Sequence, residues 1–277
     1  LLNEDPVKTE GGLSSGNAGE SSNFLCYRAL RLNYYAVTGL LARVCLYAGQ
    51  RENAFNYSTE VIKASNNGIF PFVDRSLVNG TAQDPDRIFS PEVLFALSDS
   101  QRGELFEEYF DPSLAPNMVF RMETDLLEQT IYGGTGTGGN LDDYRCRSNW
   151  ISSGSARYFY KYSDMTESGR IENTMIPLLR LGEMYLIAAE SQSNSLANGV
   201  SYINTLRKNR GVSNLQTLTT TLLQYEYIRE VYGEGQLFFM YKRMYSSIIR
   251  SNSATNNPAP SNAVFVVPLP DTETENR

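Results

Sequence analysis

Apolar residues recur every three or four positions in several stretches of this chain, and polar residues fill the positions between them. In one stretch Leu40, Val44 and Tyr47 form a single row, and Gly49 follows as a typical residue at a helix C-terminus. Such spacing places the apolar side chains on one face of a helix. The periodic stretches predict helices over residues 28–49, 52–65, 176–192, 196–209 and 220–245, the last interrupted at Gly233 and Gly235.

The first four of these helices form two pairs with a pattern typical of tetratricopeptide repeats. Ala42 on one helix is followed by Ala54 on the next, and the L-G-x-x-Y sequence beginning at Leu181 is followed by Ala197. Small residues such as these and Gly182 let two antiparallel helices approach closely where they cross. The pattern predicts helical hairpins over residues 28–65 and 176–210, with two unrelated hairpins as the alternative.

Residues 70–175 lie between the hairpins and show no long periodicity. The run Val93–Leu97 suits either a strand or a helix, because short apolar runs do not distinguish the two. Tyr158, Tyr160 and Tyr162 alternate with other residues, which predicts a short, half-exposed strand. The sequence therefore predicts a mainly α protein, in which tetratricopeptide-like hairpins pack against an irregular, loop-rich region with short strands.

Composition excludes several kinds of chemistry. The chain contains no histidine, so Ser-His-Asp and Cys-His nucleophilic sites and histidine-ligated zinc cannot form within it. Cys26, Cys45 and Cys146 are too widely spaced to indicate a metal site or a disulfide framework, and Cys45 is expected to be a small buried residue. The 24 basic and 31 acidic residues give a net charge of −7, which argues against nucleic acid as a partner. We expect no cofactor and no metal.

Three short patterns resemble catalytic motifs but lack the context that those motifs need. Residues 12–16 spell a nucleophile elbow, yet no strand precedes them. Residues 134–139 spell a dinucleotide fingerprint, yet no apolar helix follows, so we expect a surface loop. Adjacent carboxylates such as Glu107 and Glu108 are typical of a solvated acidic face. A glycosidase requires two carboxylates that face each other across the scissile bond.

Aromatic side chains in the irregular region are the best binding candidates. Tyr and Trp combine a flat apolar face with a polar group, which suits stacking on a sugar ring. Aromatic residues of the hairpins are needed for packing, whereas loops on a rigid scaffold often carry binding residues. We therefore predict a ligand site around Tyr109, Tyr144, Trp150 and Tyr158, with Arg145 as a hydrogen-bond donor. The alternative is that Trp150 only anchors its loop.

Most of residues 28–270 resemble the SusD/RagB family of outer-membrane nutrient-binding lipoproteins. The matching segments follow the order of the family, and the most specific of them is Pro177–Glu190 with the preceding Lys161-Tyr162. The others are Arg31–Gly49, Ser90–Phe95, Ile203–Arg207, Arg210-Gly211, Glu226 with Arg229-Glu230, Glu234–Gln236, Lys242-Arg243 and Val267–Pro270. The chain departs from the family at Tyr227, where an Arg is usual, and at Phe239-Met240, where Phe-Asp is usual.

The resemblance implies one SusD-like domain over residues 1–277, an α-α superhelix in which residues 70–175 bind the ligand. It implies non-enzymatic binding of a polysaccharide or oligosaccharide at the cell surface, and delivery to a SusC-like TonB-dependent transporter in the outer membrane. Family members are longer at the N-terminus, so the resemblance also implies a lipid anchor on a part absent from this chain. Two alternatives stay open: a tetratricopeptide-type scaffold for a peptide or protein partner, and an acidic glycoside hydrolase.

Overall fold

The computed structural model describes residues 4–15, 25–79, 82, 84–134, 136–167, 169–192, 195–249, 257–266 and 268. Within these ranges the α-helices are Val7–Glu10 (α1), Tyr34–Tyr47 (α2), Arg51–Asn66 (α3), Arg102–Tyr109 (α4), Tyr144–Asn149 (α5), Leu181–Glu190 (α6), Val200–Lys208 (α7), Thr220–Val231 (α8), Leu237–Met244 (α9) and Asn262–Phe265 (α10). The strands in the same ranges are Val93–Ser98 (β1), Arg121–Glu123 (β2), Trp150–Ser153 (β3), Ala156–Phe159 (β4) and Met175–Arg180 (β5).

The first hairpin consists of α2 and α3, and its small residues Ala42 and Ala54 are completely buried. Asn33 begins α2, because its side-chain oxygen accepts a hydrogen bond from the Ala36 N–H at 2.9 Å. The Asn33 amide also donates to the Leu94 carbonyl at 2.8 Å, which ties the hairpin to β1. The predicted helix start at residue 28 is wrong, since residues 28–30 form a separate 3₁₀ turn. The helix predicted over 52–65 is confirmed as α3.

The helix predicted over 176–192 is wrong in its first part. Met175–Arg180 is strand β5, which pairs antiparallel with β1. Pro177 lacks an amide hydrogen, and a two-stranded sheet tolerates it where a helix interior would not. Helix α6 begins at Leu181, and all ten of its residues are buried. This burial makes α6 the central helix of the fold.

The close approach in the second hairpin comes from Gly199, and the role predicted for Ala197 is wrong. Ala197 is exposed, in the 3₁₀ turn Leu196–Gly199 that precedes α7. A Cβ atom on Gly199 would lie 2.8 Å from the Cα of Ala189, so only glycine fits against α6 there. Gly182 makes a different contact, with the side chain of Glu230 on α8.

The irregular region contains α4, α5, one π-helical segment and four of the five strands described above. Its three-stranded sheet has the order β2-β4-β3, with both pairs antiparallel. The ambiguous run Val93–Leu97 is part of strand β1. The strand predicted over Tyr158, Tyr160 and Tyr162 is correct only at Tyr158, because β4 ends at Phe159, and it is mostly buried rather than half-exposed. In the glycine-rich segment Gly133 and Gly136 are exposed, as expected for a surface loop, whereas Thr137 is buried and its carbonyl accepts from Arg229 at 2.9 Å.

The helical stretch predicted over 220–245 is confirmed, together with its interruption. Helix α8 ends at Val231 and α9 begins at Leu237. Gly233 and Gly235 lie between them, and both have φ of +74°, a conformation that favours glycine. A Cβ atom on Gly233 would also lie 2.5 Å from the ring of Phe159. The turn therefore depends on glycine both for its backbone angles and for its contact with β4.

The largest buried apolar cluster extends through both hairpins and the irregular region, and includes Ala42, Trp150 and Leu186. Cys45 is buried, as its apolar surroundings in the sequence predicted. No helix in the described ranges combines the length and hydrophobicity needed to cross a bilayer. The same residues contain no cluster of three or more Cys, Asp or Glu side chains arranged to hold a metal ion.

A network of buried charges connects α8 to the irregular region. Glu230 is completely inaccessible and accepts hydrogen bonds from Arg145 at 3.1 Å, Arg180 at 2.9 Å and Arg210 at 2.8 Å. Arg210 also pairs with Glu92 at 2.6 Å, and neither side chain is exposed. A buried charge without a partner is costly, so the members of this network depend on one another. It brings together five residues that lie at least 20 positions apart in the sequence.

Buried tyrosines should make the protein unstable in alkali. Each keeps its proton in the folded state and loses it above pH 10 when unfolded, so stability falls as pH rises. Burial also lowers the pKa of Lys161 to about 8, which makes the folded state more stable as pH rises from about 8 to 10.5. Above pH 10.5 this contribution no longer changes. We expect the free energy of unfolding to fall between about pH 10.5 and 12, and the tyrosinate absorbance of the buried tyrosines to appear only on unfolding, after that of the exposed ones. Burial raises the pKa of Tyr132, Tyr162, Tyr185, Tyr227 and Tyr232.

Candidate functional site

Trp150, the only tryptophan of the chain, begins strand β3 and is 4% exposed. Its ring lies 5.0 Å from that of Phe159 and 5.1 Å from that of Tyr232, both in tilted or edge-on contact. Aromatic pairs at such distances stabilise a core beyond their buried area. Trp150 therefore anchors its strand, and it also lines a pocket described below.

Arg145 does not match the predicted role of a ligand donor, because it belongs to the buried charge network. Its side chain is 1% exposed and lies on α5. It donates to Asp143 at 2.6 Å and to Glu226 and Glu230 at 3.1 Å each. Asp143 lies two residues before Arg145, whereas Glu226 and Glu230 lie on α8, more than 80 residues away. The sequence spacing therefore indicates only the pairing with Asp143.

The three predicted tyrosines lie in separate places. Tyr109 is 49% exposed at the end of α4. Tyr144 packs against a small cluster that contains Val73, and a Cβ atom on Gly211 would overlap its ring. Tyr158 is 8% exposed and belongs to another small cluster. The predicted residues thus do not form one continuous aromatic surface. Their contact with a ligand stays a prediction, and Trp150 supports it best because it lines a pocket.

A pocket of about 410 Å³ opens beside Trp150, and we call it the Trp150 pocket. Its size falls within the usual range for small-molecule sites. Polar and apolar groups share its wall, in contrast to the apolar core around it. It is lined by Glu128, Leu141, Cys146, Arg147, Trp150 and Arg157.

Two ion pairs hold the charged groups of the Trp150 pocket in place. The Nε atom of Arg157 donates to Glu128 at 2.9 Å, and Arg147 pairs with Asp142. The side chain of Arg147 is 50% exposed and that of Arg157 is 22% exposed, so both guanidinium groups are accessible to a ligand. Planar guanidinium and carboxylate groups offer several donors and acceptors in fixed directions.

Two further groups complete the chemistry of the pocket. Within the described residues the indole N–H of Trp150 donates no hydrogen bond, so this donor has no competing partner there. Burial and the charge of Asp143 raise the pKa of the Cys146 thiol to about 12. The thiol is therefore protonated at neutral pH and is a poor nucleophile. The wall of the pocket is suited to hydrogen bonding, and the exposed Leu141 adds apolar contact.

Sequence reasoning missed Glu128, Arg147 and Arg157. Arg157 could have been found, because strand alternation places it on the face opposite Tyr158. Arg147 lies two residues after Arg145, and on a helix that separation turns the two side chains in different directions. Glu128 belongs to the π-helical segment Leu126–Ile131, whose geometry no local pattern indicated.

The model of the SusD family matches residues 99–264. Among solved structures, the chain is similar to a SusD-like carbohydrate binding protein from Bacteroides vulgatus, with 18% identity, TM-score 0.61, 95% of this chain and 61% of that chain covered. It is similar to a SusD superfamily protein from Bacteroides thetaiotaomicron, with 20% identity, TM-score 0.61 and coverage of 88% and 58%. A comparison with curated proteins finds no significant match.

A third similar structure is surface glycan-binding protein A from Bacteroides thetaiotaomicron in complex with laminarihexaose, with 17% identity, TM-score 0.60 and coverage of 95% and 65%. The chain spans less than two thirds of each of these three proteins. Identities this low establish a common fold, and the prediction of a mainly α, SusD-like fold is confirmed.

Proposed function

This chain belongs to the SusD family, and from that premise we propose that it binds a glycan at the cell surface without cleaving it. The observation that carries the proposal is the Trp150 pocket, where the apolar side chains of Leu141 and Trp150 lie beside two accessible guanidinium groups and a carboxylate. A sugar ring needs an apolar surface for its C–H face and polar partners for its hydroxyls. The pocket offers both within about 410 Å³.

Binding without bond cleavage follows from the residues at the pocket. The chain has no histidine to act as a general base, and the Cys146 thiol is protonated. Glu128 accepts a hydrogen bond from Arg157, so it is held as a paired carboxylate. A glycosidase needs a second carboxyl group across the scissile bond, and none of the residues lining this pocket supplies one.

We further propose that the complete protein is lipid-anchored in the outer membrane and delivers its glycan to a SusC-like TonB-dependent transporter. Support comes from family membership and from a neighbour described as a surface glycan-binding protein. Affinity purification of the complete tagged protein from detergent-solubilised outer membranes tests this step. A TonB-dependent barrel should co-purify in stoichiometric amount. Purification of the protein alone from the soluble fraction would contradict the proposal.

Replacing Arg157 with alanine should weaken glycan binding about tenfold or more, because a charge-assisted hydrogen bond to the ligand is lost and each factor of ten corresponds to about 1.4 kcal/mol. A glycan array that includes laminarin oligosaccharides would first identify a bound glycan. Isothermal titration with that glycan would then compare the parent protein with Arg157→Ala and Arg147→Ala. Chromatography of the mixture should show no cleavage products.

The matched control is Arg170→Ala, which removes an arginine of similar exposure that pairs with Glu172 outside the pocket. Its affinity should equal that of the parent protein. If Arg157→Ala and Arg147→Ala folded normally and bound the glycan as the parent does, the Trp150 pocket would be excluded as the site. Failure of every glycan on the array to bind would favour the alternative of a peptide-binding tetratricopeptide scaffold.

A further inference from the structure

A second cavity of about 410 Å³ lies next to Tyr232, and we call it the Tyr232 pocket. The ring of Tyr232 lies 5.1 Å from that of Trp150, so each cavity is lined by one of two aromatic rings in contact with each other. None of the residues that line it carries a charge. They are Phe120, Met122, Ile131, Ile228, Tyr232, Gly233, Leu237, Phe238, Tyr241, Ile248 and Ile249.

Two phenol groups supply the side-chain hydrogen-bonding capacity of the Tyr232 pocket. The hydroxyl oxygen of Tyr241 accepts from the Ile249 N–H at 3.4 Å, which leaves its own proton free to donate. In the described part of the chain, the Tyr232 hydroxyl has no hydrogen-bond partner. Burial raises the pKa of Tyr241 to about 12, and burial and the proximity of Tyr241 raise that of Tyr232 further. Both hydroxyls therefore remain protonated donors at neutral pH.

The character of this wall excludes most polar ligands. A sugar ring carries several hydroxyl groups, and most of them would lose their hydrogen bonds to water without gaining a partner. A carboxylate or ammonium group would be buried without an opposite charge, at higher cost. A compact apolar ring, by contrast, gains from leaving water, and one acceptor atom on it could be met by the two phenol groups.

We propose that the Tyr232 pocket is a separate binding site for a small, neutral aromatic group that carries one or two hydrogen-bond acceptors. Four aromatic side chains, Phe120, Tyr232, Phe238 and Tyr241, offer ring faces and edges for it. The two tyrosine hydroxyls donate to its acceptor atom. This site does not depend on the glycan proposal, because the two pockets share no lining residue.

The position of Trp150 makes the proposal directly measurable. It is the only tryptophan of the chain, so the tryptophan fluorescence of the protein reports on this one place. We choose 4-nitroanisole as the probe, because it is neutral, carries acceptor oxygens and quenches tryptophan at short range. The quenching of Trp150 fluorescence should saturate as the concentration of 4-nitroanisole rises. Free N-acetyltryptophanamide serves as the control for absorbance and collisional quenching, and its quenching should be weaker and linear. The anionic analogue 4-nitrobenzoate should bind at least tenfold more weakly.

The first variant, Leu237→Glu, places a charge in the wall of the pocket. Leu237 is partly buried at the first position of α9, where an acidic side chain suits the helix N-terminus. Quenching by 4-nitroanisole should weaken at least tenfold. The matched control is Leu105→Glu, a comparable change on α4 outside the pocket, which should quench as the parent does. Ile248→Glu tests the same wall from another segment if Leu237→Glu does not fold.

A second variant tests the donors. Tyr241→Phe should weaken the binding of 4-nitroanisole about three- to tenfold, because one hydrogen bond to its acceptor oxygen is lost. Toluene has no acceptor atom, so its affinity, measured by competition with 4-nitroanisole, should be unchanged. Three results would overturn the proposal: linear quenching in the parent protein, equal binding of 4-nitrobenzoate, or unaltered quenching in folded Leu237→Glu and Ile248→Glu. Loss of glycan binding in the Arg157 variant would leave this test unaffected, so the two proposals fail separately.

Discussion

Replacing Glu230 with alanine should destabilise the folded chain by about 3–5 kcal/mol, the usual cost of removing one partner from a buried ion pair. Glu230 is completely buried and serves three guanidinium groups, those of Arg145, Arg180 and Arg210. Without it, positive charge stays in the interior with fewer carboxylates to balance it. Urea unfolding followed by circular dichroism measures the loss.

The size of the effect reflects how little the network can rearrange. Arg210 keeps Glu92 and Arg145 keeps Asp143, so some charge balance survives. Arg180 retains only Glu234 among its carboxylate partners. The Arg180 side chain is 2% exposed, which prevents water from replacing the lost oxygen atoms easily. Glu230→Gln keeps the shape and one of the two acceptor oxygens, so it should be less harmful than alanine and gives a measurable variant if alanine prevents folding.

The matched control removes a glutamate from an exposed ion pair. Glu167 pairs with Arg170 at 3.4 Å, and its side chain is 74% exposed. Surface pairs of this kind contribute about 0–1 kcal/mol, so Glu167→Ala should change stability little. Equal stability of Glu230→Ala and Glu167→Ala would contradict the proposed importance of the network.

Acid should reproduce part of this effect in the parent protein. The surrounding arginines hold the pKa of Glu230 well below its usual range although burial opposes them, and they lower that of Glu226 as well. A carboxylate with a lowered folded pKa stabilises the fold above its unfolded pKa, near 4.5, and this contribution is lost as pH falls. In Glu230→Ala the dependence of stability on pH below about 4.5 should therefore be weaker than in the parent.

The periodicity of apolar residues predicted some helices of the fold correctly and failed at others. Periodic apolar positions located α3, α8 and α9, because each buries one face against the rest of the fold. They failed at residues 176–180, where the apolar run is a strand and Pro177 was the local signal against a helix. Periodicity located helices better than it located their buried faces, because Leu40, Val44 and Tyr47 form the apolar row on α2 and each is at least 40% exposed. Over five or six residues it also does not distinguish a strand from a helix.

The candidate site was less predictable, because tertiary contacts decide which polar groups remain accessible. Arg145 and Arg147 look equivalent in sequence, yet one is 1% exposed in the charge network and the other is 50% exposed in the Trp150 pocket. The carboxylates that distinguish them lie about 80 residues away on α8. The choice of Trp150 depended on composition, since a single tryptophan in a loop-rich region is a natural anchor for a site.

Gly182 connects the repeat pattern to the same network, through a contact that the sequence did not indicate. The L-G-x-x-Y pattern predicted a close approach of Gly182 to the neighbouring helix of its hairpin. Instead, a Cβ atom at Gly182 would lie 2.6 Å from the carboxyl carbon of Glu230 and closer still to Oε1. That carboxylate accepts hydrogen bonds from three arginines and cannot move away without breaking them.

Gly182→Ala should therefore destabilise the chain by about 1–3 kcal/mol, the usual cost of overpacking, and Gly182→Leu by more. The control is Gly103→Ala, also on a helix, where a Cβ atom would lie 2.9 Å from Asp164. Asp164 pairs with one arginine, Arg102, and its side chain is 45% exposed, so water can replace what a small shift loosens, and the better helix propensity of alanine offsets the cost. Stability should therefore change by less than about 1 kcal/mol. Thermal unfolding of both variants measures the contrast. Equal melting temperatures for Gly182→Ala and the parent would contradict this prediction. They would show that the Glu230 carboxylate can move to accommodate a methyl group.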